Sequence, residues 1–304
     1  MPEKILVTGA NGLLGQKVVE IFKRESEYEI LPCDLLESRN GSLTLDIANR
    51  QRVTDVFGSY KPSVVINAAA FTNVDLAETE KEVAYKVNAT AVGYLAEAAY
   101  IFNAKLVHIS TDYIFDGKKG GYSEESLPAP ISYYGKSKLA GENLVKAKLR
   151  DFVILRTQVL YGFGKNIKKN FVLWVIGKLA NHENIRVVDD QVGNPTLADE
   201  LAYAILKVCQ KKATGVYHVS GFETISRYEF AAKIAEVFDL DFSPVKRIKS
   251  EELAQPAKRP MNSSFVCLKA QTELGINMPP VIDSLFQMKQ QMKLAGEFRQ
   301  LNHN

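Results

Sequence analysis

The feature that most constrains the fold is a regular alternation, in the first half of the chain, of short apolar runs with longer segments of helical period. Each run is apolar almost throughout, as strands covered on both faces of a sheet are. Segments such as 14–23, 50–60 and 81–102 lie between the runs and have the amphipathic spacing of helices. The alternation predicts an α/β fold, a doubly wound parallel sheet whose ligand crevice lies beyond the carboxyl ends of its strands. The predicted strands are KILVTG at 4–9, YEILPCD at 28–34, SVVINAAA at 63–70, KLVHIS at 105–110 and FVILRT at 152–157.

Length and charge exclude several other classes of protein. With 304 residues, 46% of them hydrophobic, the chain can form one large or two modest domains. Lysine plus arginine total 38 and aspartate plus glutamate 35, and this balance gives no footprint for nucleic acid or an anionic membrane. The cysteines Cys33, Cys209 and Cys267 lack the spacing of a metal site or a disulfide framework, and no other ligand cluster indicates a metal. Since no leader or long apolar run is visible, we expect a cytoplasmic protein that contacts no membrane.

A glycine-rich loop, GANGLLG at 9–15, joins the first predicted strand to the first predicted helix. Gly9 permits a tight turn, Gly12 lets the backbone approach a pyrophosphate, and Gly15 lets the helix pack closely on the sheet. The amino end of the helix then faces the anion. The loop predicts a dinucleotide site whose contacts are Gly9, Asn11, Gly12, Leu13, Leu14 and Gly15.

The acidic residue that ends the second predicted strand bears on which dinucleotide is bound. Asp34 lies where a carboxylate would bind the adenosine ribose, and it would repel a 2′-phosphate, so it favours NAD(H). Arg39 follows closely and could accommodate the phosphate, which leaves NADP(H) open. A solvated loop aspartate is the alternative role for Asp34. Asp46 and Ile47, after the next short apolar run, are expected to border the adenine.

Residues suited to chemistry follow the fourth predicted strand. Tyr134 and Lys138 are four positions apart, so on a helix they share one face. A cation beside a phenol stabilises the phenolate and lowers its pKa from about 10, which suits proton transfer to a carbonyl oxygen. The hydroxyl of Thr111 would hold the substrate oxygen between them. Such a pair also occurs by chance on surface helices, but its combination with the glycine loop favours a catalytic role.

Together these motifs resemble the extended short-chain dehydrogenase/reductase family, and within it the dTDP-4-dehydrorhamnose reductase group. The similarity spans nearly the whole chain. The similar segments are TGANGLLG at 8–15, INAAAFTNVDLAE at 66–78, KVNATA at 86–91, STDYIFDG at 110–117, PISYYGKSKLAGE at 130–142, DQVGNPT at 190–196 and AKRPMNSS at 257–264.

The resemblance implies roles for individual residues. Thr111, Tyr134 and Lys138 would form a catalytic triad, with Tyr134 as general acid and Lys138 on the nicotinamide ribose. Asn88 would lie near the catalytic lysine, and the loop residues Ala68, Ala69 and Ala70 would border the cofactor. The substrate would be bound by Thr72, Val74, Asp112, Tyr113, Gln191, Arg259 and Asn262, with Pro195 beside them.

One segment departs from the group's pattern. Relatives commonly carry an Arg-Thr-Ser-Trp segment after the fifth strand, whereas this chain reads RTQV at 156–159. Its tryptophan, Trp174, lies on the next predicted helix, where we expect it in the core.

The second half of the chain predicts a smaller, sequence-discontinuous α+β substrate lobe. Helices are predicted at 170–180, at 197–211 and at 225–238, the last capped by Ser226, and GVYHVS at 215–220 predicts a last strand of the sheet. We therefore predict a dinucleotide-binding domain of 1–164 plus about 197–220. The lobe would comprise about 165–196 plus 221–304.

The predicted function is NAD(P)H-dependent reduction of a nucleotide-linked 4-keto sugar, specifically dTDP-4-dehydro-L-rhamnose to dTDP-L-rhamnose. One alternative is a sugar-nucleotide epimerase or dehydratase of the same family, which would recycle its nicotinamide. Another is a non-catalytic subunit resembling the regulatory β subunit of methionine adenosyltransferase. The chain is expected to act as a monomer or homodimer.

Overall fold

The computed structural model describes residues 2–36, 41–167 and 170–297, so Arg39 lies outside the described residues. The strands are β1 (Glu3–Thr8), β2 (Tyr28–Asp34), β3 (Leu43–Thr44), β4 (Val64–Asn67), β5 (Lys105–Thr111), β6 (Phe152–Thr157), β7 (Leu160–Tyr161), β8 (Ile185–Val188), β9 (Val192–Gly193), β10 (Thr196–Leu197), β11 (Gly215–His218), β12 (Ile225–Ser226) and β13 (Val245–Ile248). The α-helices are α1 (Leu13–Phe22), α2 (Arg50–Tyr60), α3 (Leu76–Thr79), α4 (Lys81–Tyr85), α5 (Ala91–Ile101), α6 (Tyr133–Lys148), α7 (Phe171–Ala180), α8 (Ala198–Gln210), α9 (Arg227–Phe238), α10 (Leu268–Leu274) and α11 (Val281–Leu294).

Seven of these strands form one parallel sheet in the order β11-β6-β5-β4-β1-β2-β3. This is the predicted doubly wound sheet, and β11 is the predicted last strand. The strand order reverses between β1 and β4, whose final residues Thr8 and Asn67 lie opposite each other in the register. In such a sheet the crevice at this reversal receives the ligand.

Helices cover both faces of the sheet, which explains why the strands are apolar on both sides. One core layer contains Val18 of α1 and Ile205 of α8, packed against Ile5 and other strand residues. The opposite layer contains Val53 of α2 and Leu95 of α5. The strand predicted at 63–70 ends earlier, at Asn67, because the Asn67 side chain accepts the Ala69 N–H (3.2 Å) and the chain then leaves the ladder.

The helical segment predicted at 81–102 is divided. Helices α4 and α5 are separated by a π-helical turn over Lys86–Thr90, which contains Asn88. Single π turns within helices are frequent at functional sites because they displace one side chain from the regular helical face.

The later elements form a second core. Helices α7, α9 and α11 contribute Val175, Phe230 and Leu285 to it. As predicted, Ser226 caps α9, here in a capping box with Glu229. The residue bounds of the two domains remain a prediction. Among the described residues, no helix has the length and apolar character needed to cross a membrane.

Candidate active site

Two glycines of the loop at 9–15 lie where a side chain would not fit. Gly9 has φ +69°, and a Cβ built on it would lie 2.6 Å from the Ala69 nitrogen of the neighbouring loop. A Cβ on Gly15 would lie 2.1 Å from the Gly9 carbonyl oxygen. Gly12 precedes α1 without a capping side chain. The amino end of α1 therefore lies against the crevice with its first N–H groups free of side-chain caps, an arrangement that fits a pyrophosphate.

Asn11 links this loop to the end of β2. Its backbone N–H donates to Asp34 Oδ2 (2.8 Å), and its side-chain amide donates to the Leu36 carbonyl (3.1 Å). The side chain of Gln16 donates to the Asn11 carbonyl (2.7 Å) and also to the Lys165 carbonyl (2.8 Å). Asp34 thus holds the glycine loop in place, and one of its carboxylate oxygens makes that contact.

Of the two residues expected beside the adenine, only one is accessible. Asp46 is exposed, and its carboxylate accepts the Ala48 N–H (2.8 Å) in a local turn. Ile47 is buried in the core layer of α2, so its side chain is not available at the crevice. Residues Ala68, Ala69 and Ala70 are half-buried in the loop that follows β4, directly opposite Gly9.

Helix α6 carries the predicted Tyr–Lys pair, and its amino end is capped by Ser132. Ser132 Oγ accepts the Gly135 N–H (3.2 Å), which fixes the first turn. A Cβ on Gly135 would lie 2.1 Å from the Tyr113 carbonyl oxygen, so glycine lets the helix approach the residues that follow β5. Gly135 therefore lets the first turn of α6 lie against the segment that follows β5.

The Tyr134 hydroxyl lies within hydrogen-bonding reach of Thr111, and its ring packs edge-on against Tyr113 at a centroid distance of 5.5 Å. The predicted direction of its pKa shift is wrong for the protein without cofactor. Burial raises the pKa of Tyr134, and the neighbouring carboxyl of Asp112 adds to this effect. The phenol is therefore held protonated, which is the form that a general acid needs.

Lys138 is buried one turn further along α6. Its Nζ donates to the Ile109 carbonyl of β5 (2.6 Å). Burial lowers the pKa of Lys138 to about 8, and the negative charge of Glu142 opposes that decrease. At neutral pH the lysine is mainly an ammonium ion.

Asn88 connects helix α6 to the loop that follows β4. Its side chain accepts the Phe71 N–H (2.9 Å) and donates to the Phe71 carbonyl (3.0 Å) and to Ser137 Oγ (3.0 Å). A Cβ on Gly141 would lie 2.2 Å from the Asn88 carbonyl oxygen, so α6 lies directly against the π turn. Asn88 is thus close to Lys138, as expected, and it fixes the loop containing Ala68–Ala70.

Asp112 is buried beside Thr111 and contacts Ser263, a residue from the second half of the chain. One carboxylate oxygen accepts from Thr111 Oγ1 (3.0 Å) and the other from Ser263 Oγ. Burial raises the pKa of Asp112, although both hydroxyls act in the opposite direction. This contact brings the AKRPMNSS segment to the carboxyl end of β5.

Two arginines lie near Tyr113. The predicted residue Arg259 forms a bidentate ion pair with Asp75 (2.9 and 2.8 Å). Arg227 was not predicted; it is desolvated, its pKa is lowered by burial, and its guanidinium stacks on Phe171 at 5.3 Å. Arg227 occupies the first turn of α9, where a cation opposes the helix dipole. That anomaly was the signal in the sequence that could have identified it.

The other predicted substrate residues differ in accessibility. Thr72 is exposed and Val74 half-buried on the loop after β4, whereas Pro195 is buried. Gln191 donates to Ser250 Oγ (2.9 Å). The Asn262 side chain accepts from the N–H and hydroxyl of Ser264, and its backbone N–H donates to the Gly117 carbonyl (2.9 Å). Gln191 and Asn262 therefore have local partners that hold the loops of the site.

The segment that departs from the group's pattern is integrated into the core. Gln158 is buried, donates to the Ser263 carbonyl (3.2 Å) and accepts the Asn194 N–H (2.9 Å). Val159 has φ +47°, an unusual backbone for a β-branched residue. Trp174 is half-buried on α7 and its ring packs at a tilt against Phe171 (5.8 Å between centroids), at the edge of the second core.

This arrangement defines a class of protein. A doubly wound parallel sheet with a glycine loop after β1 and a Thr–Tyr–Lys group at the carboxyl end of β5 is the architecture of the short-chain dehydrogenases/reductases, which use a nicotinamide cofactor.

Comparison with known proteins makes the assignment narrower. The chain belongs to the RmlD substrate-binding domain family, whose model matches residues 3–294. It is 38% identical to a dTDP-4-dehydrorhamnose reductase of Aggregatibacter actinomycetemcomitans, covering 90% of this chain and 94% of the relative. It is 32% identical to methionine adenosyltransferase 2 subunit beta of Xenopus laevis, covering 90% and 83%. The crystal structure of dTDP-4-dehydrorhamnose reductase from Bacillus anthracis in complex with NADP is similar, with a TM-score of 0.89 and 37% identity over 96% of this chain and 100% of that one.

Proposed function

We propose that the protein is an NAD(P)H-dependent reductase of a nucleotide-linked 4-keto sugar, and that its substrate is dTDP-4-dehydro-L-rhamnose. The observation that carries the proposal is the position of a half-buried, protonated Tyr134 beside Thr111, one helical turn from the Lys138 ammonium. The names of the relatives at 37–38% identity support the choice of substrate.

The crevice residues fit a dinucleotide. Gly9 and Gly15 leave room that a Cβ would fill, and the amino end of α1 supplies N–H groups for the pyrophosphate. The remaining proposed contacts are Asn11, Gly12, Leu13, Leu14, Asp34, Asp46, Ala68, Ala69, Ala70 and Asn88. When bound, the reduced nicotinamide supplies the hydride.

Side chains of the protein would supply the proton that the reduced carbonyl oxygen needs. As the carbonyl carbon is reduced, negative charge develops on its oxygen, and Tyr134 donates its phenolic proton to that oxygen. Thr111 would redirect its hydroxyl proton from Asp112 to the same oxygen, and Lys138 would stabilise the phenolate that remains. The high pKa of Tyr134 does not prevent this step, because an alkoxide is a stronger base than a phenolate.

The substrate would lie between the loop after β4 and the second core. We propose that Arg227 and Arg259 face its diphosphate, since both lie near Tyr113 and charge-assisted hydrogen bonds from guanidinium groups suit phosphate oxygens. Thr72, Val74, Asp112 and Tyr113 would face the sugar. Gln191 and Asn262 would position the loops around it.

The choice of cofactor is proposed to be NAD(H), with NADP(H) as the second candidate. Asp34 would meet the adenosine ribose, although one of its oxygens already binds Asn11. The complex of the Bacillus anthracis structure with NADP keeps the second candidate open. We also propose a cytoplasmic location, which agrees with the free thiols of Cys33, Cys209 and Cys267, and a monomeric or homodimeric state.

The test is oxidation of NADH and NADPH by the purified protein with a panel of 4-keto nucleotide sugars. We expect turnover with dTDP-4-dehydro-L-rhamnose and little with the others. Tightly retained NAD without net oxidation of NADH would instead indicate an epimerase or dehydratase. Inactivity with every sugar, together with co-purification of a partner enzyme, would indicate the regulatory role that the similarity to the methionine adenosyltransferase subunit suggests.

A further inference from the structure

A buried carboxylate behind the catalytic pair has no part in the proposed reaction. Glu142 lies on α6 and has no solvent exposure. Its carboxylate accepts hydrogen bonds from Ser110 Oγ (2.6 Å), from Arg156 Nε and Nη2 (3.0 and 2.8 Å) and from Lys146 Nζ (3.2 Å). Ser110 immediately precedes Thr111 on β5. Glu142 therefore joins the catalytic helix to two strands of the sheet.

The histidines around this carboxylate do not add charge. Arg156 Nη1 lies 3.3 Å from His218 Nε2, and His218 Nδ1 lies 2.9 Å from the Tyr122 carbonyl oxygen. Burial, with the charge of Arg156, lowers the pKa of His218 to about 3. Burial, with the charge of Lys138, likewise lowers the pKa of His108 on β5. Both imidazoles are neutral at physiological pH.

The position of Glu142 relative to Lys138 is the second observation. The two residues are four apart on α6, and both side chains bind groups of β5, so they share the buried face of the helix. The cations near Glu142 are Lys138, Arg156 and the partly exposed Lys146. Without the carboxylate, the buried guanidinium of Arg156 would lose its ion-pair partner.

Stability alone does not explain such a group. Desolvation offsets most of the attraction in a buried ion pair, so an apolar pair of similar volume is often as stable. Burial disfavours the charged form of Lys138, and the proposed reaction requires that charged form. A negative charge one turn away counteracts this effect directly.

We propose that Glu142 is a positioning residue of the reaction: it keeps Lys138 in the ammonium form and, through Ser110, fixes the end of β5 that carries Thr111. This inference rests on the proposed function for its chemical meaning. The reaction it supports is the one described above, and Glu142 itself exchanges no proton or bond with the substrate.

The first experiment measures the ionisation of Lys138 directly. Protein with carbon-13 at lysine Cε is titrated by NMR, and the Lys138 resonance is assigned by its absence in Lys138→Met. In Glu142→Gln we expect the pKa of Lys138 to fall by about one to three pH units, since an opposite charge at this range has been removed. An unchanged pKa would overturn the proposal. The measurement needs neither cofactor nor substrate, so it is independent of the proposed function.

The second experiment follows the pH profile of kcat/KM for sugar reduction. In Glu142→Gln the basic limb should move to lower pH, with a loss of about fivefold or more at pH 8 and a smaller loss at pH 6. Glu142→Asp, which keeps the charge, should restore the position of the limb. A uniform loss at every pH would show a structural role only.

A matched variant separates charge from the loss of the ion pair. Arg156→Gln breaks the same pair and should destabilise the fold to a similar extent, but it removes a positive charge, so the basic limb should move to higher pH. If the basic limbs of Glu142→Gln and Arg156→Gln moved in the same direction, the proposal would be contradicted. If the wild-type protein reduces no sugar, the proposed function fails, and the NMR titration still decides the role of Glu142.

Discussion

Replacement of Tyr134 by phenylalanine tests the assignment of the general acid. The change removes only the hydroxyl, while the ring keeps its edge-on packing against Tyr113 at 5.5 Å. Loss of general acid catalysis typically lowers a rate by about 10²–10⁴-fold, which corresponds to about 3–5 kcal/mol in activation free energy. The lost hydrogen bond to Thr111 should change the free energy of unfolding by only about 1 kcal/mol.

The assay for this variant is the initial rate of NAD(P)H oxidation at saturating substrate, with cofactor affinity measured separately by fluorescence. We expect kcat to fall by about 10³-fold, within the range typical of a lost general acid, and the dissociation constant of the cofactor to stay within about threefold. Tyr133→Phe is the matched control, since Tyr133 lies next to Tyr134 on α6 and its ring packs against Lys81. The reasoning is refuted if Tyr134→Phe retains more than a tenth of wild-type kcat, or if both variants lose activity equally.

Three further predictions concern the glycine-rich loop, the arginine proposed to bind the substrate diphosphate, and the ion pair between Asp75 and Arg259. Gly15→Ala places a Cβ 2.1 Å from the Gly9 carbonyl oxygen; we expect a destabilisation of about 1–3 kcal/mol and weaker cofactor binding. In the control Gly177→Ala, the added Cβ would meet no atom of the described residues within 4 Å outside its own helix backbone and chain neighbours, so the change should stabilise α7 by about 0.5–1 kcal/mol in urea unfolding. Arg227→Met should raise KM for the nucleotide sugar about 10- to 100-fold while cofactor affinity stays constant, and an unchanged KM would exclude the diphosphate contact. Hydrogen bonds from Arg259 lower the pKa of Asp75, so this carboxylate contributes stability above its unfolded pKa of about 4 and loses that contribution as the pH falls. The unfolding free energies of wild type and Asp75→Asn should therefore converge in acid, and a difference independent of pH would contradict the assignment.

Sequence patterns predicted the parts of the site that depend on near neighbours along the chain. The spacing of Tyr134 and Lys138 fixes their common helix face, and the loop at 9–15 contains a turn that favours glycine at Gly9 and a close approach of the Gly9 carbonyl that requires glycine at Gly15. The cap at Ser226 is likewise local. These features are readable because the distance between residues a few positions apart is set by helix and turn geometry alone.

Other features required the folded chain. The pairing of Arg259 with Asp75, the place of Arg227 beside Tyr113 and the core position of Gln158 each depend on segments distant in sequence. The sign of the Tyr134 pKa shift was predicted wrongly for the same reason. The spacing of Tyr134 and Lys138 indicated a nearby cation, but the extent of burial depends on the whole fold, and burial together with the charge of Asp112 raises the pKa of Tyr134.

The sequence by itself thus determined the class of fold, the glycine-rich loop after the first strand and the helix face that Tyr134 and Lys138 share. Only the tertiary structure decided which charged groups form ion pairs and which ionisable groups are buried. The physical reason is that local geometry follows from backbone and spacing, whereas desolvation and ion pairing depend on which distant surfaces meet. Glu142 illustrates the difference. Its position on α6 follows from the sequence spacing, but its contacts with Arg156 and Ser110 form only when β5 and β6 lie side by side.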